Sequence, residues 1–268
     1  MMIMQQAQDF RQECESLVDL LERQDDGVFA KVTQFKGWSI DDVIGHLHMF
    51  NHAARLTLEN STAFADFFAP VSAALAQGRS MLDAQYVWLD GLTGRALFDA
   101  WKEECRRTAE AYGNCDAKQR VKWAGPDMSA RSSITARQME TWAHGQEVFD
   151  CLSAERIDTD RIKNIAHLGV NTFGWTFINR KLPLPDPAPH VILTAPSGKV
   201  WGFNDPQPDN RVEGTATEFC QVVTQTRNVA DTKIITIGET AKKWMAVAQC
   251  FAGDPNDPPP VGSRHKTV

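Results

Sequence analysis

Residues 134–150 read ITARQMETWAHGQEVFD, a run of helix-forming and core-like residues that also carries Glu140, His144 and Glu147 at spacings of four and three. At about 100° per residue these three side chains fall within about 60° of one another, on a single helix face. Ala136, Ala143 and Cys151 flank them there, small enough to let another object approach the backbone, while Trp142 and Phe149 sit elsewhere on the circumference. Two acids and an imidazole on such a face are costly to bury without a partner. A divalent ion would supply one. The alternative is a solvated stripe with an i,i+4 Glu–His contact worth a few tenths of a kcal/mol.

A second stretch bears on that choice. In WSIDDVIGHLHMFNHAARL, residues 38–56, Val43, Leu47, Phe50 and Ala54 form an inward stripe and His46 falls within it, whereas His48 and His52 point away. Ser39 is placed to cap this helix, with Asp41 and Asp42 in the first turn where the helix dipole favours negative charge. A lone histidine on an apolar face is usually packing. One inward histidine here, together with a Glu-x-x-x-His pair on another helix, makes a His2Glu donor set that leaves a fourth zinc position open.

Outward from these two helices, the chain reads as follows. Phe10, Cys14, Leu17 and Leu21 recur at helical spacing and predict a first helix over residues 5–21. A third helical region runs through residues 60–78, interrupted at Pro70, and a fourth over 93–112. WAGPDMSARSS (123–133) is read as a turn, and the opening helix spans 132–152. Residues 1–158 are thus expected to be an all-α four-helix bundle. Beyond them a helix over 162–179 leads to the proline-rich RKLPLPDPAPH, after which VILTA, KVWGF, RVEG and TKIITIG read as strands, two of them followed by helices. This predicts a smaller α+β domain over 159–253. The tail 254–268, DPNDPPPVGSRHKTV, has the composition of a flexible end.

The formal charge of −6 over 268 residues argues against nucleic acid or an acidic membrane surface as partner, because both demand a positive field. No stretch of about 18 apolar residues is present, nor a basic leader before an apolar run, so a cytoplasmic location is expected. The six cysteines form no CxxC pair and are read as reduced thiols. Gly-x-Ser-x-Gly, phosphate-loop and Gly-x-Gly-x-x-Gly signatures are absent, which disfavours serine hydrolysis, phosphoryl transfer and hydride transfer. A small-molecule substrate is expected, and a homodimer stays open.

GWSIDDVIGHLHMF (37–50) resembles the Trp-(Ser/Thr)-x-x-Asp-Val-x-x-His-Leu segment of the DinB-like metal-binding bundles. ARQMETWAHGQEVFD (136–150) resembles the Arg-x-x-Glu-x-Trp-x-His-Gly-x-Asp segment of their mycothiol-dependent maleylpyruvate isomerase branch. RVEGTATEFCQVVTQTRN (211–228) is similar to a helix of the SCP2-like C-terminal domain that these isomerases carry. The resemblance implies metal ligation, zinc first, by His46, Glu140 and His144. It also implies a low-molecular-weight thiol, glutathione or mycothiol, as cofactor for isomerisation or transfer on a small unsaturated or electrophilic acid. Two departures stand out: Glu147 replaces the usual Asp, and TQTR replaces a Gly-Arg pair, so Arg227 matches only in part. Glu147 is read as an orienter of the ligands, a general base or an exposed helix acid. Arg137, Arg131 and Arg227 are candidates to clamp a carboxylate or the thiol, and Trp38 and Trp123 to wall the pocket. His167 is read chiefly as packing. The alternatives are a zinc hydrolase or lyase using bound water, and a metal-stabilised protein that binds an apolar or acyl ligand without catalysis.

Overall fold

Four long helices build the first half of the molecule. The computed structural model describes residues 4–266. Helix α1, Gln5–Leu21, buries Phe10, Cys14, Leu17 and Leu21. Helix α2, Ile40–Glu59, begins at a reciprocal box in which Ser39 Oγ accepts from the Asp42 N–H and the Asp42 carboxylate accepts from the Ser39 N–H. Two further helices, α3 (Ser61–Ala76) and α4 (Met81–Leu89), cross over before α5, Gly94–Asn114, and α6, Ala130–Cys151, complete the bundle. Helix α2 packs chiefly on α5, and α1 on α6 and α5. Trp101, Tyr112 and Trp142 lie fully buried, at about 1.5–3 kcal/mol or more of transfer free energy each.

Pro70 does not interrupt α3, contrary to the sequence expectation. It sits on an exposed face of the helix with Asp66 also exposed, so the carbonyl deprived of its donor can be met by water. The stretch expected to be a plain turn is a small hairpin, β1 (Arg120–Val121) against β2 (Met128–Ser129). The bundle unit is therefore not all helix. This hairpin also starts α6: Ala130 N–H donates to Gln119 O at 2.8 Å, Arg131 N–H to Ala117 O at 3.1 Å and Ser132 N–H to Ser129 Oγ at 3.1 Å, meeting donors that every helix start leaves open.

A second unit begins at Leu152. Asp160 accepts from Ser197 N–H and Oγ, and Asp158 from Thr217 Oγ1, which ties residues 158–160 to this unit. Its leading helix is in two pieces, α7 (Lys163–Asn171) and α8 (Phe173–Asn179). At the break, Thr172 Oγ1 donates to Leu168 O at 2.8 Å, a side-chain bond that competes with the backbone ladder. Strands β3 (His190–Thr194), β4 (Val200–Phe203), β5 (Arg211–Thr215) and β6 (Ile235–Ile237) form one sheet in the order β4-β3-β5-β6. The β3–β5 pair is parallel and the outer pairs antiparallel. Helices α9 (Ala216–Val223) and α10 (Glu239–Val247) complete the unit. Val191, Leu193 and Val212 of the sheet are buried, as are Phe173, Phe219 and Trp244, whose rings meet 5.2–5.8 Å apart.

The tail is not unpacked as its composition suggested. Asn256 Nδ2 donates to Gln225 Oε1 (2.6 Å) and its N–H to Gln249 Oε1 (2.9 Å). Arg180 pairs with Asp257 (2.8 Å), Asn228 Nδ2 donates to Pro259 O (2.9 Å), and Arg264 Nη1 to Gln225 O (2.8 Å). Side-chain amides here do what a strand ladder does elsewhere. Thr267 and Val268, also assigned to that flexible end, lie outside the described residues. Among the described residues no helix is long and apolar enough to cross a membrane.

Candidate metal centre

His46 projects from α2 and Glu140 and His144 from α6, and their donor atoms gather within 4.8 Å of one another. His144 Nε2 lies 3.4 Å and His46 Nε2 3.8 Å from Glu140 Oε2. Good N–H···O bonds measure about 2.7–3.2 Å, so both spacings are long for hydrogen bonds. An ion bonded at about 2.0–2.1 Å to tetrahedrally arranged donors holds those donors about 3.3–3.4 Å apart. Donor chemistry and spacing both fit a divalent metal.

Burial pushes the His46 imidazole pKa down to about 4, with the neighbouring His144 and Arg137 also opposing the charged form and Glu140 favouring it. Burial would by itself raise Glu140, yet the two imidazoles and the Arg137 guanidinium hold its carboxyl well below the usual range. At neutral pH His46 is therefore a neutral donor and Glu140 an anion, the ionisation states a metal needs. The His46, Glu140 and His144 side chains retain 13%, 23% and 11% exposure, so the carboxylate is the most exposed of the three.

Aromatic rings enclose the imidazoles. The Trp38 ring stacks on His144 (centroids 5.9 Å apart, planes 3° apart) and lies 5.4 Å from His46. Phe35 meets His144 edge-on at 5.0 Å, and Phe50 meets His46 at 4.7 Å. A tight turn holds the first two: Thr33 N–H donates to Trp38 O (2.7 Å), Trp38 N–H to Phe35 O (2.9 Å), and Lys36 and Gly37 take φ of 53° and 71°. Left-handed backbone at two successive positions favours glycine. His46 Nδ1 is buried without a hydrogen-bond partner, so packing rather than a carbonyl or carboxylate holds this ring, unlike most metal-ligating histidines.

The other sequence candidates distribute unevenly. Trp123 stacks on Phe64 (5.7 Å) and reaches Phe50 (6.2 Å), one ring removed from His46. Glu147 is 2% exposed, which removes its reading as an exposed acid, and it is not among the three converging donors. Arg137 is 3% exposed, with Nε donating to Asn51 Oδ1 at 3.1 Å. Arg131 is exposed at the start of α6, about 13 Å along the axis from Glu140. Arg227 and His167 belong to the second unit. Arg227 Nη1 donates to Thr226 O, and His167 is exposed beside Asn171 and Phe203. His48 and His52 do point away, packing against Trp88 at 5.1 and 5.5 Å. Sequence reasoning missed Phe35. Its signal was the Lys-Gly turn that follows it.

Residues 10–149 match the family described as the mycothiol maleylpyruvate isomerase N-terminal domain. Two uncharacterized proteins of Mycobacterium tuberculosis, from strains CDC 1551 / Oshkosh and ATCC 25618 / H37Rv, are each 35% identical over 247 residues, 92% of this chain and 95% of theirs. Among solved structures, mycothiol-dependent maleylpyruvate isomerase and a histidine-to-alanine mutant of it superpose with a TM-score of 0.55 at 14% and 13% identity, over 94% of this chain and 95% of theirs. At that identity the likeness is one of fold.

Proposed function

This chain belongs to the family of the mycothiol maleylpyruvate isomerase N-terminal domain, and on that premise we propose that it is a metal-dependent enzyme, zinc being the first candidate, that uses a low-molecular-weight thiol to isomerise a small unsaturated organic acid. The observation that carries this reading is the spacing of the donors, 3.4 and 3.8 Å from Glu140 Oε2, long for hydrogen bonds and close to a tetrahedral edge.

His46, Glu140 and His144 would hold the ion and leave one position for an exogenous ligand. With two neutral imidazoles and one carboxylate, the loaded site carries a formal charge of about +1, which favours anionic ligands. When bound, the metal and thiol supply a thiolate at neutral pH, a nucleophile able to add reversibly to an activated double bond and so permit rotation about it. Trp38 and Phe35 cover the imidazoles and keep bulk water from the ligand side, while Glu140 stays ionised as pH varies around neutrality. Glu147, buried one turn beyond His144, is proposed to brace that end of α6. The second unit is proposed to be SCP2-like.

The test loads the full chain with Zn2+ and follows the cis–trans isomerisation of maleyl-type unsaturated keto acids by absorbance, with mycothiol, glutathione or no thiol. Turnover that needs both metal and thiol is expected. Thiol-independent consumption of substrate by water addition would replace this reading with a metal hydrolase or lyase, and tight acyl-ligand binding without turnover would replace it with a carrier.

A further inference from the structure

The polar contacts between α2 and α6 are stacked in register with the donor cluster. His46 on α2 faces Glu140 on α6. One step further, Asn51 Oδ1 accepts from Arg137 Nε at 3.1 Å. Another step on, the Tyr112 hydroxyl of α5 joins Ala54 O of α2 to Ser133 Oγ of α6, at 2.8 Å to each. Residue numbers climb on α2 as they fall on α6, so these are three rungs of one antiparallel ladder. The lower two are buried: Asn51 and Tyr112 are 0%, Ser133 2% and Arg137 3% exposed.

Apolar packing is non-directional and tolerates small sliding of one helix on another. Hydrogen bonds weaken within a few tenths of an ångström. The lower rungs therefore determine the axial offset of α2 against α6, and that offset sets the 3.8 Å between His46 and Glu140. Arg137 fits this role better than that of a substrate clamp. Its Nη2 is shut off from solvent and without a hydrogen-bond partner, and its guanidinium packs 5.8 Å from the Phe50 ring, which in turn touches His46. No substrate oxygen reaches Nη2 without opening the bundle.

Resting on the metal-site reading above, we propose that Asn51 and Arg137 are positioning residues whose buried hydrogen bond sets the register of α2 on α6 and thereby assembles the three metal donors. Asn51 offers one oxygen to the guanidinium and one N–H to Cys105 Sγ at 3.5 Å, which anchors it to α5 as well.

The experiment titrates Co2+ into the metal-free full chain and records affinity and the visible spectrum of the bound ion, with circular dichroism to confirm helicity. Asn51→Ala and Arg137→Met are expected to weaken Co2+ binding about 10- to 100-fold, the range for lost outer partners of metal ligands, and to change the tetrahedral Co2+ bands. Asn51→Asp, whose carboxylate can still accept from Arg137 Nε, is expected to restore both. Thr108→Val deletes a buried hydroxyl of α5 bonded to Asn51 O at 3.4 Å without touching the Arg137 rung, and is expected to bind within twofold of the parent. Affinity within twofold in both Asn51→Ala and Arg137→Met overturns the proposal, as does an equal loss in Thr108→Val or no rescue by Asn51→Asp. Wild-type affinity in Arg137→Met with a raised KM for the acid would make Arg137 a clamp instead. A parent chain that takes no Co2+ removes the metal reading and this inference with it, whereas a parent that binds Co2+ but shows no thiol-dependent turnover removes only the proposed reaction.

Discussion

Gly45, the residue before His46, packs against Gln85 and Leu89 of α4, and replacing it by alanine should destabilise the bundle. A Cβ built there would lie 2.6 Å from Gln85 Nε2 and 2.9 Å from Leu89 Cδ1. Two effects oppose each other. Alanine in a helix interior gains about 1 kcal/mol over glycine. Against this, the Gln85 side chain is 0% exposed and its Nε2 donates to Asp42 O at 2.9 Å. It has no solvent to move into, so displacing it costs about 1–3 kcal/mol for an unmet buried amide. Crowding at Leu89 adds about 1–3 kcal/mol. The net expectation is a loss of about 3 kcal/mol, or about 6–12 °C in the transition of a unit of some 150 residues. Calorimetry of Gly45→Ala in a chelating buffer measures it. Adding Gln85→Ala removes one of the two collisions, so the double variant should be more stable than the sum of the single losses by about 1 kcal/mol. An unchanged or higher transition temperature in Gly45→Ala would show that α4 does not rest on α2 here.

Glu140→Gln keeps the side chain's shape but removes its charge: at Zn2+ near 100 times the parent's dissociation constant the parent should gain about 2.7 kcal/mol, and the variant little, read as loss of the metal-induced rise in transition temperature. An equal rise in both would exclude Glu140 as a ligand. Burial holds the His48 pKa near 4, with Glu104 opposing and His52 assisting. Its neutral form therefore contributes stability that is complete above the unfolded value of about 6.5 and is lost as pH falls toward 4, by about 2 kcal/mol at pH 5. His48→Leu should flatten urea-midpoint differences between pH 7 and pH 5, and equal slopes in parent and variant would contradict this. Gly238, at φ 87° with Asp209 O where a Cβ would go, should tolerate no side chain; Gly238→Ala is expected to cost about 3 kcal/mol or more, measured as the second unit's thermal transition, and a transition at the parent's temperature would refute the backbone assignment.

The bundle was legible because its helices announce themselves by period: Phe10, Cys14, Leu17 and Leu21 are the buried face of α1, and the same arithmetic put Glu140 and His144 on one face of α6. Period says nothing about short helices. Helix α4 was passed over although Ser80 and Asp83 form the same reciprocal cap as Ser39 and Asp42, because its apolar residues alternate too irregularly to stand out. The expected helix over 162–179 gave no hint of its break, where Thr172 turns its hydroxyl back on Leu168 and, a turn earlier, α7 packs closely at Gly169, where an added Cβ would lie 2.8 Å from Val223. Proline misled twice, singly at Pro70 and by composition in the tail, for one reason: it reports local propensity, while exposed carbonyls and distant amides such as Gln225 and Asn256 decide the outcome. Of the site, the donors could be read from spacing. Phe35 and the Asn51–Arg137 pair could not, because they depend on which surfaces meet.

The donors come from two helices, and 94 residues separate His46 from Glu140. At about 5–20 residues per second of synthesis, His46 leaves the ribosome about 5–20 s before Glu140 exists. During that interval α2 carries three histidines, His46, His48 and His52, and no carboxylate from α6. An ion captured early would have to choose among imidazoles on a single growing helix, where His48 and His52, one turn apart, make the better pair. On the metal reading proposed above, the trio forms only once α6 has been made and has docked, so metal entry would come after the long-range contacts rather than nucleate them. On that reading the order of events, chain first and ion last, is a property of where two helices fall along the gene.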